Sequence, residues 1–177
     1  MKQLLPALAL LLGAAAPPAA AQDAPARPSL KALEEKYGFR DARLEADTTA
    51  LPGRELVDVG KNVLEYVRPA DARNVGEAQL ETIRYVFYKG RLESIVLTTE
   101  GARNSQALLA TLRAQYGPGD KPNPYRQHYV WSTKHVLMTF DQQASVGDGK
   151  VLITSKLLHG QQQADEASAA RQATSDL

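Results

Sequence analysis

The strongest alternation of apolar and polar positions lies between Glu81 and Thr98, where β-branched and aromatic residues flank Lys89-Gly90. This pattern predicts two strands joined by a two-residue turn. With Lys89 and Gly90 as the loop, Phe87 faces Leu92, Tyr85 faces Ser94 and Ile83 faces Val96. Side chains alternate along a strand, so Ile83, Tyr85, Phe87, Leu92 and Val96 are expected on one face. Arg84, Val86, Tyr88, Arg91, Glu93, Ile95 and Leu97 would share the other, a mixed set. A sheet with one apolar face needs a covering layer.

The chain supplies candidates for that layer on both sides of the hairpin. Ser29 to Tyr37 reads as a short amphipathic helix, with Ser29 as N-cap, Leu30, Leu33 and Tyr37 on one stripe, and Gly38 at the left-handed C′ position. Asn104 to Tyr116 reads as a longer one, capped by Asn104 or Ser105. Its stripe is Leu108, Leu109, Leu112 and Tyr116, and Gly117-Pro118 stops it. The two helices share a spacing, Leu-x-x-Leu-x-x-x-Tyr-Gly, that fits either a duplicated unit or any short helix of this composition.

Further strands are expected at Phe39 to Ala46, Glu55 to Val59, Asn62 to Val67, Tyr125 to Trp131, His135 to Asp141 and Lys150 to Leu158. A helical turn is expected at Asp47 to Leu51 and a polar loop at Pro69 to Ala78. In the second hairpin, with Thr133-Lys134 as turn, Tyr129, Trp131, Val136, Met138 and Phe140 form an apolar face. His128, Val130, Ser132, His135, Leu137 and Thr139 form the other. The order of elements predicts an α+β fold, a mostly antiparallel β-sheet with two short helices packed on one face.

The ends change this picture. Met1-Lys2, the apolar run Leu4 to Leu12 and Ala19-Ala20-Ala21 match a cleavable secretory signal, and the run is shorter than the roughly 20 residues a membrane span needs. The expectation is a signal peptide over 1–21, a flexible Pro-bearing lead over 22–28, one domain over 29–159, and a tail over 160–177 too polar to order, with a frayed helix as its alternative. Export places the protein in the periplasm or outside the cell. Removing residues 1–21 takes away one Lys and no acid, so the formal charge falls from +1 to zero. A neutral chain lacks the footprint of a nucleic-acid binder.

Tyr85-x-Phe87-x-x-Gly90-x-Leu92-x-x-Ile95, the Leu-rich helix ending Tyr116-Gly117-Pro118, the Trp131 hairpin and the closing strand together resemble a loose group of secreted bacterial domains. The layout is similar to the fold of β-lactamase-inhibitor protein and of the outer-membrane assembly lipoprotein BamE, over about residues 29–158. The resemblance implies short helices on an antiparallel sheet. The chain has no cysteine to carry the BamE lipid.

Reactive chemistry is sparse. There is no cysteine for a disulfide or thiolate, and no metal or other cofactor is implied. The hairpin register sets His128 and His135 on one face but roughly 13 Å apart at the strand rise, too far to share a zinc. The nucleophile motifs of serine hydrolases are missing. Ser132 near His135 lacks an orienting acid, and Gly147-Asp148-Gly149 reads as a turn. Carboxylates at Asp41, Glu45 and Asp47 allow a hydrolase as the alternative, and a cavity between helix and sheet would allow a small-ligand carrier. The expected role is a non-enzymatic binding or envelope-accessory module for an envelope or periplasmic protein. It would act through the sheet face bearing Arg84, Val86, Tyr88, His128, Val130 and His135, with Arg84, Tyr88, His128 and His135 as its contact residues.

Overall fold

The computed structural model describes residues 29–175; the proposed signal peptide and lead lie outside these residues. Helix α1 (Leu30–Lys36) is capped by the Ser29 hydroxyl, which accepts from the Ala32 N–H. Its left-handed end falls on Tyr37 (φ 46°), one residue before the glycine that was expected to take it. A small hairpin, β1 (Gly38–Phe39) and β2 (Ala42–Arg43), replaces the expected first strand. Asp47 then caps a single 3-10 turn, Thr48–Ala50, through the Thr49 N–H.

Seven strands form the main sheet: β3 (Glu55–Gly60), β4 (Val63–Val67), β7 (Thr82–Tyr88), β8 (Arg91–Thr99), β9 (His128–Ser132), β10 (Val136–Gln142) and β11 (Gly149–Ser155). Their order is β3-β4-β7-β8-β11-β10-β9, antiparallel throughout. The strands after α1 make one meander and those after α2 (Ala102–Tyr116) another, and the two join at β8 and β11. Between β4 and β7, the expected loop holds a third short hairpin, β5 (Asn74–Val75) and β6 (Ala78–Gln79).

The Lys89-Gly90 turn forms as read. Both residues have positive φ (48° and 80°), as a type I′ hairpin requires. The register beyond it does not. Phe87 faces Leu92, but a β-bulge follows, so Val86 faces Ser94 and Tyr85 faces Ile95. The extra residue is Glu93. Past it every side chain of β8 changes face, so Ile95 and Leu97 enter the core and Val96 leaves it.

The core lies between this face and the α1/α2 layer: Ile83, Tyr85, Phe87, Ile95 and Leu97 meet Leu33, Leu108, Leu109 and Leu112, with Trp131, Met138 and Phe140 at the far end. Burying each large apolar side chain contributes about 1.5–3 kcal/mol. Helix α2 starts at Ala102, earlier than either expected cap. Its N-cap Gly101 gives no side-chain bond; Asn104 instead bonds the Gln79 backbone, and Ser105 is wholly buried.

A third helix, α3 (Lys156–Ser175), occupies the segment read as a disordered tail. It begins directly after β11, where Ser155 Oγ accepts from the Leu158 N–H (3.3 Å). Tyr88 and Leu158 are buried, yet stand apart from the main core. This helix lies over one end of the opposite sheet face, so two helices cover one face and part of a third covers the other.

Candidate functional site

Alternation along six strands puts a second face on the sheet, partly overlaid by α3. In one row across it, Arg84, Val96, Leu152, Thr139 and Val130 stand side by side. The row above reads Glu65, Val86, Ser94, Thr154, Leu137 and Ser132. The row below reads Thr82, Thr98, Lys150, Asp141 and His128. Val86, Val96, Val130, Leu137 and Leu152 are half-buried. The result is an aliphatic band with polar borders.

Helix α3 closes the upper border. Asp165 accepts from the Tyr88 hydroxyl and from Lys89 Nζ (2.5 Å). Farther along, the bulged Glu93 turns its carboxylate onto this face, where His159 Nδ1 lies 2.9 Å away and Ser94 Oγ donates at 3.2 Å. The Glu93 side chain is 6% exposed. Thr154 sits beside this corner with its hydroxyl buried and unpartnered among the described residues.

The four residues expected to make contact separate. Arg84 is exposed on the open face and paired to Glu65 (3.5 Å). His128 is on the same face, its Nδ1 2.6 Å from Asp141 Oδ1. Tyr88 is on that face too, but beneath α3, so it is not a free contact. His135 is not on the face at all. The β9–β10 connection is two residues longer than the Thr133-Lys134 turn, since Ser132 faces Leu137. His135 falls in that connection and turns to the helical layer, meeting Glu34 and the edge of the Tyr37 ring (6.4 Å).

Val96 and Leu152, at the centre of the band, were missed. The bulge at Glu93 hid the first. The second was legible in the alternation Val151-Leu152-Ile153, with Val151 and Ile153 buried on either side.

The three carboxylates of the hydrolase alternative are held by different partners. Asp41 is clamped by Arg68 Nη1 and Nη2, each donating at 2.7 Å, and this pairing lowers its pKa to about 2. Glu45 loses solvation by burial, but accepts from Tyr37 and from Ser155 (2.7 Å) and lies 3.2 Å from Arg91, and its pKa falls on balance. Burial and the bond to Glu45 push the Tyr37 phenol up to about 12. Asp47 is occupied as the cap of the 3-10 turn. Among the described residues no group of three metal-ligating side chains occurs, and no helix is long and apolar enough to cross a membrane.

No protein-family model, no curated protein and no solved structure matches this chain.

Proposed function

We propose that this protein is a non-enzymatic binding or envelope-accessory module, working in the periplasm or outside the cell and engaging a protein partner through the open sheet face. The observation that carries this reading is the aliphatic band Val86, Val96, Leu152, Leu137 and Val130, half-buried side chains on the sheet face opposite α1 and α2, of which α3 overlies one end. An apolar centre with a polar rim is the common anatomy of a protein interface. Arg84 and His128 stand at opposite corners of that rim, each beside an acid that a partner's charge could compete for. The helix-on-sheet layout, which the sequence motifs liken to β-lactamase-inhibitor protein and BamE, suits such a role.

The test is a photo-crosslinking residue placed at Leu152, with a second protein carrying it at Lys31 on the exposed side of α1. In envelope extract the first should give one discrete protein adduct and the second none. Equal labelling from both positions, or none from Leu152, would overturn the assignment of the face.

A further inference from the structure

Tyr125 is 95% exposed, and its loop is not loose. Asn123 Oδ1 accepts from the Tyr125 N–H (2.9 Å), the Asn123 carbonyl accepts from the Arg126 N–H (3.3 Å), and Pro122 and Pro124 restrict the backbone on either side. A tyrosine ring held out in water gains nothing from packing; its large apolar surface is available to something else.

Two adjoining clefts lie beside it. One, of about 460 Å³, is lined by Tyr125 and by Gln106, Gln127, Gln142 and Gln143. The other, of about 620 Å³, includes Glu81, Thr98, Asp141 and Lys150. They share Arg126, Gln142 and Gln143. Within the protein, Gln106 donates to Gln142 (2.5 Å) and Gln142 to the Gly147 carbonyl (2.9 Å). Each carboxamide presents both donors and an acceptor. The charged groups are of both signs, Arg126 and Lys150 against Glu81, Asp141 and Asp148, so no single-sign field selects an anion or a cation.

We propose that these clefts bind a neutral, polyhydroxylated chain, an oligosaccharide, with Tyr125 as the platform for one sugar ring. Neighbouring hydroxyls on a sugar both donate and accept, which matches planar amides and carboxylates. The C–H face of a pyranose is apolar and matches the face of a phenol ring. Both volumes fall in the range of small-molecule sites. The site adjoins the polar border of the open face, sharing Thr98, Asp141 and Lys150 with it, but uses none of the aliphatic band.

The experiment is an array of neutral and N-acetylated oligosaccharides, both α- and β-linked, probed with the folded protein. The best-retained glycan is then titrated against nitrogen-labelled protein by NMR. Retention is expected, with shifts at Tyr125, Gln127, Gln142 and Gln143. Tyr125→Ala should weaken binding about tenfold, Tyr125→Phe should keep it, and Lys31→Ala, on the exposed side of α1, should leave it unchanged. Because the Tyr125 side chain is fully exposed, its removal does not threaten folding. Retention of no glycan overturns the proposal, as does retention that Tyr125→Ala leaves unaltered.

Discussion

Arg68 ties three separate segments together. Its guanidinium donates to Asp41 in the β1–β2 turn and to Asp71 in its own loop (2.8 Å), and lies over the Tyr85 ring of β7. Tyr85 completes the set by donating to Asp71 at 2.6 Å. The Asp71 side chain is 8% exposed, so Arg68→Ala strands a nearly buried carboxylate and should cost about 3 kcal/mol in urea unfolding. Asp41 behaves differently because its side chain is 61% exposed. Its folded pKa lies below the unfolded carboxylate value of about 3.9. Its stabilisation is therefore present above pH about 4 and lost as pH falls through about 2. Solvent screening keeps it under about 1 kcal/mol. Asp41→Asn should flatten that acid limb without changing stability slope near neutrality. None of this was legible from the sequence, because Asp41 lies in a segment read as a strand, Arg68 falls between one read as a strand and one read as a loop, and no spacing rule brings them together.

Gly119 is a second residue whose role only the packing reveals. Its φ is +71°, and a Cβ there would stand 2.7 Å from Cε2 of Trp131. The indole N–H meanwhile donates to the Gly117 carbonyl at 2.9 Å. Gly119→Ala should destabilise by about 2 kcal/mol through overpacking and backbone strain. Trp131 is the sole tryptophan, so displacement should appear directly as a red-shifted emission; unchanged emission with unchanged stability would contradict this packing.

At the scale of elements, α3 is lightly anchored along most of its length. Over its described length Leu158 is the one buried side chain, and much of its attachment is polar, including Lys156 to Ser132 and Thr133, Glu93 to His159, and Asp165 to Tyr88 and Lys89. Few buried contacts mean low local stability. Amides beyond Gly160 should therefore exchange through opening well below the global unfolding free energy, measured by native-state hydrogen exchange. His159→Leu should accelerate that exchange and cost about 1–2 kcal/mol, because Glu93 stays enclosed with Ser94 left to donate to it. Equal protection in α3 and β8 would refute this. The polar composition that suggested disorder was a fair reading of α3's packing, but Ala-rich helix propensity and these few contacts hold it helical. The central hairpin was legible down to its turn because Lys89-Gly90 allows two positive φ values. The bulge was not, since nothing in Leu92-Glu93-Ser94 marks an extra residue; its reason lies in α3, which receives the Glu93 carboxylate.

For the whole molecule, the sequence conveyed the α+β class and the apolar face of the second hairpin, because strand alternation and the α2 stripe are local patterns. The candidate site was half legible. Arg84, Val86, His128 and Val130 fall on the open face as read, while Tyr88 and His135 were lost to a helix and a longer turn, both set by tertiary contacts. The proposed role requires the aliphatic band to bind a protein. The most direct measurement is affinity capture from envelope extract with wild-type protein and with the double variant Val96→Lys, Leu152→Lys, with matched thermal unfolding of both. One dominant protein should be retained by the wild type and lost by the equally folded variant. The same protein retained by both, or nothing retained by the wild type, would contradict it.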